Sequence, residues 1–299
     1  MKDKLKLLAI LAHPDDESLG FGGTLAKYAA DGTETYLITA TRGEKGWSGA
    51  PKEYPGPEAF GQIREQELYG AARVLGLKDV ILLDYVHGEL DQASPHEIIG
   101  QLVTHIRRIK PQVVVTFDPN GLYGHPDHIA ISQFTSAAIL ASADLHYPSP
   151  LSHQIHRVDK LYYLVMEAGE AEAYQEAFGD LVMYIHGVER RPVAWQTWAI
   201  TTRIDTTEYW SQVWKAISSH CSQLPGYQAL KNLSEENHRN LWGTQRFYRA
   251  LSVVNGGREQ ENDLFEGILT EDGYEGAFRK QPQNARASLR VAAQKRKLT

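Results

Sequence analysis

Two short motifs contain the residue types that metal chemistry requires. The first is His13-Pro14-Asp15-Asp16-Glu17, and the second is His125-Pro126-Asp127-His128. Imidazole nitrogens and carboxylate oxygens bind Zn²⁺, and a catalytic zinc site uses three protein ligands and keeps one position open. The chain has one cysteine among its 299 residues, which excludes an internal disulfide framework and a cysteine-based zinc site. Any metal must therefore be held by histidine and carboxylate side chains.

The elements that precede the motifs predict that the two loops meet. Residues 5–12 form a short apolar run and residues 113–117 a valine-rich run, and both patterns predict buried strands. In a doubly wound sheet of order 3-2-1-4-5, strands one and four are neighbours, and ligands bind outside their carboxyl ends. Either motif alone could be structural, because proline makes turns and aspartate caps helices. Together they predict a metal site at this edge of the sheet.

Strands and helices alternate along the first half of the chain. Further strands are predicted at residues 33–39 and 80–83, and helices at residues 20–30, 57–76, 95–109 and 126–141. This order predicts a Rossmann-like, doubly wound α/β fold with a mostly parallel sheet and helices on both faces. The second half is less regular, with predicted strands at residues 161–166, 199–204 and 247–254 and a helix at residues 208–219. We expect one domain over residues 1–279, in which residues 146–279 complete the cleft of a core spanning residues 5–145.

The charge distribution argues against nucleic acid as the main partner. The formal net charge is −6, yet residues 280–299 contain six Lys and Arg residues and no acidic residue. A basic segment can bind nucleic acid, but this one lacks aromatic side chains, so we expect a disordered tail on an acidic domain. No apolar run is long enough for a signal peptide or a membrane span, so we expect a cytoplasmic protein. The sequence does not determine the oligomeric state, and a homo-oligomer is one of the possibilities.

The paired motifs resemble those of the LmbE-like, or PIG-L, family of zinc-dependent de-N-acetylases, which act on GlcNAc-type sugars and conjugates. The likeness spans about residues 5–225 and includes Gly43-Glu44, Arg64-Glu65-Gln66-Glu67-Leu68 and Tyr123-Gly124. Lys215 and His220-Cys221-Ser222-Gln223 match more weakly. The resemblance implies one zinc ion per chain and hydrolysis of an N-acetyl group.

The resemblance also implies a role for each motif residue. The metal ligands would be His13, Asp16 and His128. Asp15 would be the general base that takes a proton from the attacking water. His125 would stabilise the oxyanion or protonate the leaving amine, and Asp127 would orient His125. General chemistry agrees, because zinc acidifies water and polarises an amide carbonyl, and a carboxylate-held imidazolium can protonate a leaving nitrogen.

Three further side chains are candidates for binding substrate. Arg64 falls in the apolar stripe of the helix at residues 57–76, where a charge is rare unless it is paired or used. It either binds sugar hydroxyls or a phosphate, with Glu67 to orient it, or forms an internal ion pair with Glu67. Glu44 follows the second strand and could equally be an exposed loop charge. Tyr123 could hydrogen-bond the oxyanion or stack within its loop.

The remaining histidines do not belong to comparable motifs. Eight are expected to be ordinary surface or core residues: His87, His96, His105, His146, His153, His156, His186 and His238. His220 ends a predicted amphipathic helix, so it could line the cleft or complement the helix C-terminus.

These features predict a zinc-dependent hydrolase that removes an N-acetyl group from a GlcNAc-type sugar or conjugate. An amidase acting on a thiol-sugar conjugate is the alternative within this class. The set of two histidines and one carboxylate also suits Fe²⁺ in non-haem oxygenases, and a non-catalytic sugar-binding module is a further alternative. A binding module would not need Asp15 and His125 beside three metal ligands, which favours the hydrolase.

Overall fold

A seven-stranded sheet forms the centre of the computed structural model, which describes residues 4–148, 154–170, 174, 182–185, 187–257 and 259–268. The strands are β1 (Lys6–Leu11), β2 (Glu34–Thr41), β3 (Asp79–Tyr85), β4 (Val113–Phe117), β5 (Lys160–Leu164), β6 (Met166–Glu167), β7 (Met183–Ile185), β8 (Val188–Arg190), β9 (Ala194–Trp195), β10 (Thr202–Asp205) and β11 (Thr244–Ser252). The central order is β10-β11-β5-β4-β1-β2-β3, while β6 pairs with β9 and β7 with β8.

The predicted strand order is confirmed in the parallel part of this sheet. Strands β3, β2, β1, β4 and β5 run parallel, and β11 and β10 extend the sheet in antiparallel pairing. Strand β1 lies between β2 and β4, so that Ala9 pairs with Leu37 on one side and Val115 on the other. Residues 7–12 are fully buried, which explains the continuous apolar run, because both faces of a parallel sheet are covered.

Helices cover the sheet in two layers. They are α1 (Asp16–Leu19), α2 (Gly22–Ala30), α3 (Pro57–Leu75), α4 (Pro95–Ile109), α5 (Gly121–Gly124), α6 (Pro126–Ser142), α7 (Trp210–Ser219), α8 (Gln228–Lys231) and α9 (Glu235–Trp242). Short 3₁₀ turns lie at Pro51–Glu53, Leu90–Gln92, Thr197–Ala199, Thr207–Tyr209 and Leu224–Tyr227. Helices α2, α3 and α7 contact one another, and α4 contacts α6. Since the winding direction reverses at the β1–β4 junction, the two groups cover opposite faces, and the predicted α/β class is confirmed.

Helix α3 shows how a charged side chain enters the interior. Its buried positions include Phe60, Arg64, Leu68 and Ala71, which recur with helical spacing on one face. The sequence pattern assigns Ile63 to the same stripe, but the structure leaves 43% of this side chain exposed and only 2% of Arg64. The helix is therefore rotated toward Arg64, because this guanidinium finds partners near the carboxyl edge of the sheet.

Within the described residues, no helix is both long and apolar enough to cross a membrane. The basic segment at residues 280–299 lies outside the described residues, and the division into core and completing regions stays a prediction.

One buried carboxylate ties the segment after β11 to the sheet. Glu261 accepts hydrogen bonds from Lys160 Nζ at 2.7 Å, Arg249 Nη1 at 2.5 Å, Tyr162 Oη at 2.7 Å and Thr202 Oγ1 at 3.0 Å. These partners belong to β5, β11 and β10. Because Lys160 is fully buried, its charge depends on Glu261 for compensation.

We therefore expect Glu261→Ala to lower the free energy of unfolding by about 3–5 kcal/mol, since it leaves buried cations without a counter-charge. Urea denaturation measures this change. The matched control is Glu235→Ala, which removes an exposed ion pair with Arg239 and should cost less than about 1 kcal/mol. Equal losses in the two variants would contradict this assignment.

Candidate active site

The loop after β1 presents its side chains around a tight turn. The main-chain N–H groups of His13 and Ala12 donate to Asp16 Oδ2 at 2.7 and 3.2 Å. Asp15 adopts φ +105°, a conformation that non-glycine residues rarely take. Its N–H donates to Glu17 Oε2 at 2.9 Å, and its carbonyl accepts from Ser18 and Leu19. Hydrogen bonds within the motif therefore hold the turn, and Asp15 and Asp16 present carboxylates in different directions.

The loop after β4 places His128 opposite this turn. Helix α6 begins at Pro126, so His128 lies in its first turn, and its ring stacks on Phe117 with centroids 3.9 Å apart. Gly121 has φ +63°, and a Cβ there would lie 2.9 Å from His128 Cβ. Glycine thus allows the loop to approach the helix closely.

Three side chains of the two motifs converge as the sequence predicts. His13 Nδ1 lies 3.2 Å from His128 Nε2, Asp16 Oδ1 lies 3.3 Å from His128 Nε2, and Asp16 Oδ2 lies 3.6 Å from His13 Nδ1. Ligand atoms on a tetrahedral zinc are about 3.3 Å apart, given bonds of about 2.05 Å. The spacing and chemistry of this cluster therefore fit one such ion.

The Asp127 carboxylate contacts a partner that the sequence does not predict. It lies 2.9 Å from His13 Nε2 and accepts the main-chain N–H groups of Gly88 and Leu90 at 2.7 and 3.0 Å. Its contact with His125 is made by the main chain, since the Asp127 N–H donates to His125 Nδ1 at 3.1 Å. This corrects the expected side-chain pairing with His125: the His125 ring caps α6, and the carboxylate points toward the neighbouring loops.

His125 and Tyr123 lie beside the three converging side chains. The His125 ring centroid is 4.7 Å from that of His13 and 5.2 Å from that of His128. Tyr123 packs its ring edge against His128 at 5.1 Å, and burial raises its pKa well above the usual value. Both residues line the cavity described below, and their roles toward a substrate stay predictions.

Arg64 contacts the motif loop and also lines the cavity described below, so its contact with substrate stays a prediction. Its Nη2 donates to Asp15 Oδ2 at 2.8 Å and to the Pro14 carbonyl, and its Nη1 donates to the Gly43 carbonyl at 2.9 Å. Gly43 permits this approach, because a Cβ there would lie 2.0 Å from Nη1. Burial raises the pKa of Asp15 to about 6, although Arg64 opposes this shift.

Glu67 takes neither of its predicted roles. Its carboxylate accepts the Ser222 N–H and O–H at 2.7 Å each, so it fastens the segment after α7 to α3. The same segment supplies Tyr227, whose hydroxyl donates to Asp15 Oδ2 at 2.9 Å. No local motif predicts Tyr227 as a site residue, because its contact with Asp15 spans 212 positions of the chain.

His87 is a site residue that the sequence analysis assigned to the ordinary histidines. Its ring centroid lies 4.4 Å from that of His13 and 5.6 Å from that of His125. Glu44 accepts the main-chain N–H of His87 at 2.8 Å and is not among the described residues that line the cavity. The position of His87 in the sequence could have indicated its place in the site. This residue follows β3, whose carboxyl end lies at the same edge of the sheet as the two motifs.

His220 binds a motif residue beneath the cavity. Its Nε2 lies 2.7 Å from Glu17 Oε1, and both side chains are fully buried. Burial opposes the charged imidazole, but the Glu17 carboxylate outweighs it and raises the pKa of His220. This pair therefore contributes stability below about pH 6.5 that is lost as the pH rises through the folded-state pKa. His220 was predicted either to line the cleft or to complement the C-terminus of its helix. Instead, its side chain pairs with Glu17.

These side chains surround one end of a cavity of about 420 Å³, a size typical of small-molecule sites. The described histidine, arginine and carboxylate residues along its wall are His13, Asp15, Asp16, Arg64, His87, His125, His128 and Glu170.

The Glu17–His220 contact predicts a titration that NMR can follow. In the parent protein, the pKa of His220 should lie above 6.5. In Glu17→Gln it should fall below 6.5, because burial, the largest cause, then outweighs the remaining effect of the Asp15 carboxylate. His156, whose pKa burial lowers, is the internal control and should titrate alike in both proteins. A parent His220 that titrates below 6.5 would exclude the charged pair.

Comparisons with known proteins agree with this site. The family model described as PIG-L, GlcNAc-PI de-N-acetylase, matches residues 8–139. The chain is 32% identical over 291 residues to a 1D-myo-inositol 2-acetamido-2-deoxy-alpha-D-glucopyranoside deacetylase of Streptomyces avermitilis, covering 88% of this chain and 97% of that protein. It is 29% identical over 296 residues to the mycothiol S-conjugate amidase of Streptomyces coelicolor, covering 90% and 99%.

A solved structure shares the fold. The N,N′-diacetylchitobiose deacetylase of Pyrococcus horikoshii aligns with a TM-score of 0.61 and 22% identity, covering 83% of this chain and 84% of that one. Fold and sequence together define a hydrolase that has an α/β fold and cleaves amide bonds. The chain belongs to the PIG-L family of de-N-acetylases, which confirms the resemblance that its two motifs carry.

Proposed function

We propose that this chain is a Zn²⁺-dependent hydrolase that removes the N-acetyl group from a GlcNAc-type sugar conjugate. The observation that carries the proposal is the convergence of His13, Asp16 and His128 beside Asp15, in a cavity at the carboxyl ends of β1 and β4. The name of the Streptomyces avermitilis relative, an acetamido-glucopyranoside deacetylase, supports the same substrate class.

We assign the metal to His13, Asp16 and His128. Burial and the neighbouring His87 hold the pKa of His13 well below its usual value, so the neutral imidazole that a metal requires is present at neutral pH. Zn²⁺ suits two imidazoles and one carboxylate, and Fe²⁺ suits the same set. When bound, the metal would polarise the amide carbonyl and acidify water.

Asp15 is the general base of this proposal. A carboxylate with a pKa near 6 can take a proton from water and release it again near neutral pH. The hydrogen bonds from Arg64 and Tyr227 to its carboxylate both fall on Oδ2, so we assign Oδ1 as the oxygen that accepts the proton. Arg64 is thus a positioning residue, and Glu44 supports the main chain at His87.

His125 and Tyr123 contact the substrate amide in this proposal. Because His125 Nδ1 accepts the Asp127 N–H, the proton of the neutral ring lies on Nε2, where it can bind the developing oxyanion. Addition of water to the carbonyl carbon is followed by cleavage of the C–N bond. Asp15 then passes the proton that it has taken to the leaving nitrogen, while the neutral His125 ring keeps its own proton, and the products are acetate and the free amine. The Tyr123 hydroxyl is a second donor to the oxyanion.

An amidase acting on a thiol-sugar conjugate is the second candidate. The Streptomyces coelicolor relative, named a mycothiol S-conjugate amidase, supports it. Both reactions hydrolyse an amide on an amino sugar with the same residues, so the size of the acyl group distinguishes them. Primary-amine release from a panel of GlcNAc conjugates and longer N-acyl analogues, with and without a chelator, decides between the two.

Asp15→Asn should lower kcat for amine release by about 100- to 10,000-fold, because the amide cannot accept the proton. Metal content, measured by mass spectrometry of the purified protein, should stay at one ion per chain. Asp31→Asn, an identical change at an exposed position outside the cavity, is the control and should keep full activity. Full activity of Asp15→Asn would remove this residue from the base role.

Asp127→Asn should weaken metal binding by about 10- to 100-fold, because a carboxylate that orients a metal-binding histidine raises its basicity. Competition with a chromophoric chelator measures the affinity without any assay of activity. Unchanged affinity would show that the Asp127–His13 contact does not support a ligand, and Asp31→Asn again supplies the control.

A further inference from the structure

The cavity has two chemically different ends. Its ionisable end is formed by the loops after β1, β3 and β4 and contains the residues discussed above. Its other end lies over the carboxyl end of β5 and the start of β11, next to the loop after β4. We call this end the apolar chamber and define it by Leu122, Leu164, Val165, Met166, Leu241 and Trp242.

Two polar residues next to the apolar chamber, Glu170 and Gln245, are paired with protein groups. Glu170 lies 3.2 Å from Arg246 Nη1 and accepts the Glu167 N–H at 3.3 Å. Gln245 accepts the Thr24 N–H at 2.6 Å and donates to the Gly20 carbonyl. These contacts engage Glu170 Oε2 and the side-chain amide of Gln245. Apart from Trp242 Nε1, Tyr174 and Thr244, the remaining wall on this side is hydrocarbon.

The walls of the chamber are enclosed. Val165 and Trp242 are only 2% and 1% exposed, although both line the cavity. Protein interiors are close-packed, and an unfilled apolar space costs stability. A chain that keeps such a space beside its reactive groups therefore has an occupant for it.

We propose that the apolar chamber binds an apolar group of the substrate that is larger than the acetyl methyl. This inference rests on the proposed function and names the substrate class more closely: an amino-sugar amide with an alkyl or aryl substituent. Sugar hydroxyls need hydrogen-bond partners when they are buried. The ionisable end offers such partners in His87 and Gln223, whereas the chamber favours hydrocarbon. The substituent can be carried by the aglycone or by the acyl group, and the chemistry of recognition is the same.

Two substrate series test the proposal. The first consists of methyl, butyl and hexyl glycosides of GlcNAc, and the second of methyl glucosaminides with N-acetyl, N-butanoyl and N-hexanoyl groups. In one series, kcat/KM should rise by about fourfold for each methylene that enters the chamber. The series that shows the rise identifies which part of the substrate carries the group.

Variants of the chamber wall test whether the increase in kcat/KM with chain length comes from the apolar chamber. Leu241→Gln and Val165→Thr should flatten this increase, because each places a polar atom in the wall. Leu140→Gln makes the same change at a side chain that is 64% exposed and should keep the parent slope. The slope compares substrates on one protein, so partial unfolding of a variant scales every rate equally and leaves the slope unchanged.

The outcomes separate this inference from the proposed function. Hydrolysis of the acetylated methyl glycoside with flat or falling rates in both series would overturn the chamber alone. If Leu241→Gln and Val165→Thr both keep the parent increase in kcat/KM with chain length, the chamber assignment is also overturned. Absence of hydrolysis for every substrate would overturn the proposed function, and this inference with it.

Discussion

The Asp127 carboxylate joins three loops that meet at the carboxyl edge of the sheet. It is fully buried and contacts His13 after β1 and the main chain at Gly88 and Leu90 after β3, while its own backbone begins α6. A buried carboxylate is costly unless its oxygens are hydrogen-bonded, so it is satisfied only when all three loops are in place. Burial raises its pKa, and the surrounding donors are what make the charged form tolerable. The contact with Asp127 helps to orient His13, one of the proposed metal ligands.

A second group of buried contacts holds Asp15 in its unusual backbone conformation. Glu17 binds the Asp15 main chain, and His220 from the end of α7 binds Glu17. Arg64 from α3 and Tyr227 from the segment after α7 bind the Asp15 carboxylate. Strain in a backbone persists only where the surroundings over-determine it. These contacts place the proposed base before substrate arrives, so little reorganisation is needed during the reaction.

The same edge of the sheet supplies a reactive end and an apolar end to one cavity. The difference follows from the strand order. The loops after β1, β3 and β4 carry histidines and carboxylates, whereas β5 ends at Leu164 and is followed by Val165 and Met166. The antiparallel strand β11 lies beside β5, and α9, which directly precedes it, brings Leu241 and Trp242 to the same place. The regular first half of the chain thus supplies the reactive end of the cavity, and the less regular second half supplies most of the apolar end.

Local sequence was sufficient where the information is local. Helix α4 and strand β4 occur at their predicted bounds, because Pro95 suits the first helical turn and Pro111 follows a residue in the left-handed region. The two motifs and the strand order were enough to predict that His13, Asp16 and His128 converge, since parallel strands that are neighbours end at the same edge. Only the tertiary structure decided the partners of Asp127, Arg64 and Glu67, and only it brought His87 and Tyr227 to the site. Each of these depends on the rotation of a helix or on contacts between distant segments, and the free energy of those contacts is not encoded in any local spacing.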